Sequence, residues 1–178
     1  RHQVMLLTGG PGTGKTTSLK GILALFESIG LETALAAPTG RAAKRMGELC
    51  GMEGVTIHRL LETHFDPKTG TLVFIHNERE PLKADAVIVD ETSMVDITLM
   101  AALLSGLRED CRLVLVGDPD QLPSVGAGNL LSDMIRSGIV PMVRLTEVFR
   151  QAAQSAIIRS AHQVNQGVVP ELKNSSGQ

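Results

Sequence analysis

Residues Gly9–Thr16 have types and spacing that are suited to binding phosphate. They read GGPGTGKT and fit the pattern G-x-x-x-x-G-K-[ST]. Glycine permits backbone angles that turn successive N–H groups toward one anion. Lys15 would reach the β- and γ-phosphates of a nucleotide, and the hydroxyl of Thr16 would hold Mg²⁺. We therefore predict a site for ATP and Mg²⁺ that is formed by Gly10, Pro11, Gly12, Thr13, Gly14, Lys15, Thr16 and Thr17.

Three further segments end in polar side chains that could complete a hydrolytic site. The apolar run Val87–Val89 is followed by Asp90, predicted to hold Mg²⁺ through its waters, and by Glu91, predicted to polarise the attacking water. The amide of Gln121 can contact both the γ-phosphate and the water, and the guanidinium of Arg150 can stabilise transition-state charge. The candidate catalytic residues are Lys15, Glu91, Gln121 and Arg150.

Short apolar segments alternate with helical patterns along the chain, and these elements must position the candidate residues. Strands are predicted at 4–7, 33–37, 84–89, 112–116 and 143–146. Helices are predicted at 17–26, 39–49, 94–107 and 155–165, the third with a buried stripe of Ile97, Met100, Leu104 and Leu107. This order predicts an α/β fold whose mostly parallel sheet has helices on both faces and binds ligands at the carboxyl ends of its strands. Residues 64–82 interrupt the alternation, and their Pro-Lys-Thr-Gly turn predicts a small hairpin insertion, with a plain surface loop as the alternative.

The composition is that of an ordinary globular domain. Of the 178 residues, 43% are hydrophobic and 20% are charged. No apolar run approaches the ~20 residues that cross a membrane, so we expect a cytoplasmic protein with no membrane partner. We expect one domain over residues 1–167 and a linker over 168–178. Because the net charge is −2, a nucleic acid would need a local basic patch.

Six segments in order resemble the motifs of the first motor domain of superfamily 1 DNA helicases, particularly the RecD-like branch. They are residues 8–17 (TGGPGTGKTT), 37–43 (APTGRAA), 55–61 (VTIHRLL), 89–94 (VDETSM), 117–123 (GDPDQLP) and 148–151 (VFRQ). The resemblance implies a P-loop NTPase of the RecA-like fold. It also implies ATP hydrolysis coupled to 5′-to-3′ movement on single-stranded DNA, in DNA recombination and repair.

The same resemblance implies parts that we do not expect within these 178 residues. A second RecA-like domain would carry the remaining motifs and a second catalytic arginine, and a glutamine motif that contacts adenine would precede Thr8. We therefore expect the chain to be the first motor domain of a longer parent, with that second domain as its partner. Other recombination or repair subunits are further candidate partners.

A basic cluster follows the second predicted strand. Arg41, Lys44 and Arg45 lie on one predicted helix, and Thr39 with the helix N-terminus adds donors for a phosphate. The residues alone fit a solvated face equally well, whereas the resemblance favours DNA. The DNA-binding set that it implies is Pro38, Thr39, Gly40, Arg41, Lys44, Thr56 and His58.

Three other functions fit parts of the pattern. A P-loop kinase or other small-molecule phosphotransferase would need a substrate lid and acceptor-binding residues, and Asp90-Glu91 with Gln121 suits water activation better. A binding module that uses ATP only structurally would not need these side chains. An AAA-type remodelling ATPase would need a helical lid, for which the sequence has little room.

Overall fold

The computed structural model describes residues 3–126 and 128–147, together with residues 160, 163–164 and 166–168. The predicted catalytic residue Arg150, most of the predicted helix 155–165 and residues 169–178 of the predicted linker lie outside the described residues.

A six-stranded parallel sheet forms the centre of the described part of the chain. Its strands stand in the order β3-β2-β6-β7-β1-β8, and every neighbouring pair is parallel. The described strands are β1 Val4–Gly9, β2 Thr33–Ala37, β3 Gly54–Thr56, β4 Thr63–Asp66, β5 Thr71–Phe74, β6 Ala86–Val89, β7 Arg112–Gly117 and β8 Met142–Leu145. This arrangement confirms the predicted α/β fold with a parallel sheet.

Helices cover both faces of the sheet, as predicted. The described α-helices are α1 Lys15–Ser28, α2 Gly40–Cys50, α3 Ile57–Leu60, α4 Ile97–Gly106 and α5 Leu130–Ser137, and residues Thr92–Met94 form a 3-10 turn. Successive residues of β6 point to opposite faces. Val87 and Val89 pack in the cluster that contains residues of α3, α4 and α5, whereas Ile88 packs in the cluster that contains residues of α1 and α2. Burial on both faces explains why β6 shows no polar alternation.

Side-chain caps fix where α2 and α4 begin. Thr39 Oγ1 accepts a hydrogen bond from the N–H of Ala42 at 3.3 Å, which starts α2, and Gly51 ends that helix in the left-handed conformation. Asp96 Oδ1 accepts from the N–H of Leu99 at 2.8 Å and starts α4. The predicted helix 94–107 is therefore too long at its N-terminus, because Met94 belongs to the separate 3-10 turn.

The stripe predicted for this helix is half right. Met100 is buried and Leu107 packs against the core, but Ile97 and Leu104 are 55% and 50% exposed, and Leu99 and Leu103 are buried instead. Because α4 is apolar on nearly all sides, periodicity could not identify the face that packs on the sheet.

The predicted hairpin is present. Strands β4 and β5 pair antiparallel from Thr63↔Phe74 to Asp66↔Thr71, and Asp66 Oδ1 accepts a hydrogen bond from the N–H of Lys68 within the turn. The hairpin is a two-stranded sheet separate from the main one.

Three elements were not predicted as such. The edge strand β3 has only three residues, and α3 has only four, so neither has a measurable period. Helix α5 has clear signals that the sequence analysis missed: Asn129 caps it, Asp133 lies in its first turn and Gly138 ends it.

Candidate active site

The loop after β1 has the backbone conformation that a phosphate-binding loop requires. Gly12 and Gly14 have φ angles of 75° and 89°, in the left-handed region that favours glycine. Gly9 is close-packed as well, since a Cβ atom there would lie 2.4 Å from Thr13 Oγ1 and 3.0 Å from the carbonyl oxygen of Leu145. Thr13 Oγ1 donates a hydrogen bond to the carbonyl oxygen of Gly10 at 2.8 Å, which closes the loop.

The ammonium group of Lys15 lies inside this loop. Its Nζ donates to the carbonyl oxygen of Gly10 at 2.9 Å and also to that of Gly9. The helix α1 begins at Lys15, and its N-cap residue Gly14 has no side chain to occupy the first N–H groups. A lysine ammonium beside free helix N–H groups is an arrangement suited to phosphate oxygens.

The acidic pair lies directly after the neighbouring buried strand. Asp90 follows β6, and its Oδ1 accepts a hydrogen bond from the N–H of Glu91 at 2.9 Å. Glu91 has a φ of 53°, which a non-glycine residue seldom adopts and which often occurs at functional sites. The hydroxyl of the buried Thr92 donates to the carbonyl oxygen of Val89 at 3.2 Å and holds the turn.

Partial burial makes both carboxyl groups harder to ionise. Burial raises the pKa of Asp90, although the hydrogen bond from Glu91 and the charges of Lys15 and Arg45 oppose the rise. Burial also raises the pKa of Glu91, and the negative charge of Asp90 adds to that rise. A carboxylate with a raised pKa is a better proton acceptor, which suits the role predicted for Glu91.

One cavity of about 670 Å³ brings the predicted residues together at the carboxyl end of the sheet. Its lining contains Gly10, Pro11, Gly12, Thr13, Gly14, Lys15, Thr16, Asp90, Glu91 and Gln121, all from the predicted set. Thr17 is exposed in the first turn of α1 and does not line the cavity. The loop, the acids and the glutamine follow β1, β6 and β7, which are adjacent in the sheet.

The oxygen atoms in this cavity fit Mg²⁺. Thr16 and Asp90 line the same space, and Mg²⁺ is usually bound by one or two carboxylates together with substrate phosphates and water. One hydroxyl and one carboxylate suit an ion that is also bound by nucleotide phosphates. The described residues contain no group of three or more His, Cys, Asp or Glu side chains that could hold a metal ion.

Gln121 is connected to the acidic turn. The hydroxyl of Ser93 donates a hydrogen bond to Gln121 Oε1 at 3.3 Å, across two loops that follow different strands. Gln121 is itself exposed, so its amide is free to meet a ligand in the cavity. The sequence analysis did not identify Ser93, although it lies within the 89–94 segment.

Helix α2 forms another wall of the cavity. Ala42, Arg45, Met46 and Leu49 line it, from positions that lie on one side of the helix. Of the three residues of the predicted basic cluster, Arg41, Lys44 and Arg45, only Arg45 lines this cavity. The positions along α2 do not by themselves show that this side of the helix faces the cavity, because that depends on how the helix packs in the fold.

The residues predicted to contact DNA lie near the ends of two adjacent strands. Ala37, the last residue of β2, is in register with Thr56, the last residue of β3. Pro38, Thr39 and Gly40 lead directly into α2, and Thr56 caps α3 by accepting from the N–H of Arg59 at 3.1 Å. The cap bonds use lone pairs of the two threonine hydroxyls and leave their hydrogens available to donate.

The side chains around this edge are accessible. Arg41 and His58 are exposed. Lys44 is 81% exposed, and its contact with Glu48 is a long one of 4.0 Å. The His58 ring lies 6.2 Å from that of Phe74, so it connects this edge to the hairpin.

The parallel sheet, the glycine loop and the acids at the end of β6 define the chain as a P-loop nucleotide-binding domain. A family model described as "AAA domain" matches residues 1–177, and the chain belongs to that family. The family implies nucleotide binding.

Two relatives make the resemblance more specific. The chain is 46% identical over 169 residues to the ATP-dependent RecD2 DNA helicase of Deinococcus radiodurans, covering 95% of this chain and 22% of that protein. It is 45% identical over 153 residues to the RecBCD enzyme subunit RecD of Mycolicibacterium smegmatis, covering 73% of this chain and 27% of that protein. The chain thus spans about a quarter of the length of these relatives. They confirm the predicted resemblance to RecD-like helicases.

The solved structures agree with this assignment. The Pif1 helicase of Candida albicans superposes with a TM-score of 0.64 at 26% identity, over 94% of this chain and 42% of that one. These helicase relatives do not favour the phosphotransferase alternative. No helix in the described part of the chain is long and apolar enough to cross a membrane.

Proposed function

We propose that the chain is the ATP-binding and ATP-hydrolysing first motor domain of a RecD-like DNA helicase. The observation that carries the proposal is the meeting of Lys15, Thr16, Asp90, Glu91 and Gln121 in one cavity. The relative named as a RecD2 DNA helicase, at 46% identity, and the one named as a RecD subunit, at 45% identity, support it. Translocation from 5′ to 3′ along single-stranded DNA, in recombination and repair, is proposed for the longer protein.

Each residue has a distinct task in the proposed reaction. The loop N–H groups and Lys15 bind the β- and γ-phosphates, while Thr16 and Asp90 would hold Mg²⁺. When bound, Mg²⁺ would neutralise charge on these phosphates. Glu91 accepts a proton from the attacking water, and the amide of Gln121 orients that water against the γ-phosphate. Arg150 is proposed to stabilise the transition-state charge.

Lys15→Ala and Glu91→Gln separate binding from chemistry. In a protein that contains both motor domains, titration with a fluorescent ATP analogue should show that Lys15→Ala loses tight Mg-ATP binding, because the loop loses its side-chain cation. Lys20→Ala is the matched control, since Lys20 lies on α1 but not in the cavity lining.

Glu91→Gln should keep Mg-ATP binding. In a protein that contains both motor domains, it should hydrolyse ATP about 10²- to 10⁴-fold more slowly than the wild type. Wild-type affinity in Lys15→Ala, or wild-type turnover in Glu91→Gln, would contradict the assignment.

The proposed path of single-stranded DNA crosses the ends of β2 and β3. The hydroxyls of Thr39 and Thr56, the N-terminus of α2 and the charges of Arg41 and Lys44 provide donors for phosphates. Pro38 and Gly40 shape the turn, and His58 lies next to it. With four Phe, no Trp and no Tyr in the chain, extensive base stacking is not expected.

A double variant tests this path. Arg41→Ala with Lys44→Ala should weaken binding of oligonucleotides of any sequence and reduce the log–log salt slope by about 0.7 for each lost phosphate contact. Arg136→Ala, on the exposed face of α5, should leave the slope unchanged. An unaltered slope in the double variant would assign Arg41 and Lys44 to solvation.

A second motor domain is proposed as the partner that completes the reaction. Residues 1–167 are proposed as the first domain, including the insertion at about 64–82, and residues 168–178 as a linker. An arginine supplied across an interface contributes on the order of 10³ to 10⁵ in rate in phosphoryl-transfer enzymes. The chain alone should therefore bind Mg-nucleotide weakly, hydrolyse it slowly and fail to separate strands. Robust unwinding by residues 1–178 would overturn the two-domain proposal.

A further inference from the structure

Arg45 has a location that the phosphate-loop and acid motifs do not explain. It is the sixth residue of α2 and lines the 670 Å³ cavity together with Ala42, Met46 and Leu49 of the same helix. Among the described residues that line this cavity, Lys15 and Arg45 are the two that carry a positive charge. Arg45 is thus a second cation at the proposed nucleotide site, and it comes from an element other than the loop.

Arg45 lines the same cavity as the acidic pair Asp90 and Glu91. Its charge acts on the carboxyl groups of both Asp90 and Glu91, as that of Lys15 does. Arg45 makes no ion pair with any residue of the described part of the chain, whereas Lys44 beside it contacts Glu48. The guanidinium is exposed, so it can reach a ligand without unpacking the helix.

The balance of charges in the cavity favours a cation at the position of Arg45. Among the described residues that line the cavity, the three carboxyl groups of Asp90, Glu91 and Asp118 outnumber the two cations where a triphosphate would enter. The loop and Lys15 bind the β- and γ-phosphates in the proposed reaction, and Glu91 acts on the water that attacks the γ-phosphate, so the acids lie on the side of the terminal phosphate. A guanidinium beside these acids can offer two parallel N–H donors to phosphate oxygens, which a lysine cannot.

We propose that Arg45 binds the terminal phosphate of ATP from α2. This inference rests on the proposed nucleotide function and adds one residue to it. Arg45 would distinguish ATP from ADP, because only ATP carries the phosphate that it contacts. The helix that begins at the proposed DNA path would then also touch the nucleotide.

The test compares ATP with ADP in matched variants of the chain. Titrations with fluorescent ATP and ADP analogues in the presence of Mg²⁺ are made on Arg45→Gln, Arg45→Lys and the control Arg136→Gln. Arg136 is an exposed arginine on α5 and does not line the cavity. We expect Arg45→Gln to weaken ATP binding roughly 10- to 100-fold, as for a charge-assisted hydrogen bond, while ADP affinity changes by less than about threefold. Arg45→Lys should recover part of the loss, and Arg136→Gln should bind both nucleotides like the wild type.

Two outcomes would overturn the inference while leaving the proposed function intact. One is unchanged ATP affinity in Arg45→Gln. The other is an equal loss for ATP and ADP, which would indicate a change in α2 rather than a lost phosphate contact. Thermal unfolding monitored by circular dichroism checks that each variant is folded. Failure of the proposed function looks different, because the wild type would then bind no Mg-ATP, or Lys15→Ala would bind it normally.

Discussion

Strand β6 has an aspartate next to each of its ends, and the two have opposite environments. Asp85 precedes the strand and has strong partners: its Oδ2 accepts from the N–H of Glu32 at 2.9 Å, and its Oδ1 accepts from Arg108 Nη2 at 2.8 Å. The hydrogen bond from Glu32, followed by that from Arg108, lowers the pKa of Asp85 below its usual value. Arg108 also donates to the carbonyl oxygen of Lys83 at 3.0 Å, so this end of the sheet is firmly connected.

Asp90, at the other end of β6, has few partners within the protein. Its Oδ1 accepts one hydrogen bond, from the N–H of Glu91, and burial raises its pKa. Burying a carboxylate with few donors costs folding free energy, because water solvates the charge better. A bound cation and nucleotide would provide the interactions that the carboxylate of Asp90 lacks in the protein alone.

The two edges of the sheet therefore differ in how their charged side chains are paired. At the amino end, the charges of Asp85 and Arg108 have partners within the protein. At the carboxyl end, Lys15, Asp90 and Glu91 keep unused capacity that a ligand can fill. The same four-residue strand holds both aspartates in place, so its packing matters to both edges.

A substitution that disrupts the packing of β6 should give the largest of the predicted effects, a loss of stability. Ile88 is fully buried between α1, α2 and the sheet. Ile88→Ala should lower the free energy of unfolding by about 2–5 kcal/mol, since it removes buried methyl groups and leaves a cavity. Urea unfolding measures the change.

Leu72→Ala in the hairpin is the control for this substitution. Leu72 is 59% exposed, so its loss should change stability by no more than about 0.5 kcal/mol. Similar losses for the two variants would mean that the hairpin is as important to the fold as the central sheet.

The sequence predicted this central region well for a physical reason. Strands covered on both faces, such as β6 and β7, are continuous runs of Val, Ile and Leu that few other structures tolerate. The glycine loop after β1 is equally constrained, because its positive φ angles and its lysine have few substitutes. Local sequence therefore determines local structure at these positions.

The parts that sequence did not predict depend on contacts between distant segments. Which side of α4 is buried depends on the sheet beneath it, and Arg45 becomes a cavity residue only because α2 packs beside the loop. The hydrogen bond from Ser93 to Gln121 joins residues 28 positions apart. The role predicted for Arg150 remains a prediction, since that residue lies outside the described ones.

A second comparison tests the functional end of β6 against its structural end. Asp90→Asn should weaken Mg²⁺-dependent binding of a fluorescent ATP analogue by about 10- to 100-fold, as expected when a carboxylate that holds the ion through water is lost. Asp85→Asn makes the same chemical change at the other end of the strand and should leave nucleotide affinity unchanged. Equal affinities in the two variants would remove Asp90 from the ion site.

The smallest effect is on stability without nucleotide, and here the two substitutions should have opposite signs. The folded state lowers the pKa of Asp85, so its stabilising effect is present above the ordinary carboxyl pKa near 4 and is lost as pH falls through the lower folded value. Asp85→Asn should therefore destabilise the chain at pH 7, although its amide oxygen can still accept from Glu32.

The folded state raises the pKa of Asp90, so ionisation of this carboxyl group lowers the stability of the fold at pH 7. Asp90→Asn should therefore raise the midpoint temperature of thermal unfolding. Melting curves of both variants from pH 3 to pH 7 measure the difference, which should shrink toward the acid end as the wild-type carboxyls become protonated. If both variants were destabilised at pH 7, the two ends of β6 would serve the same structural purpose.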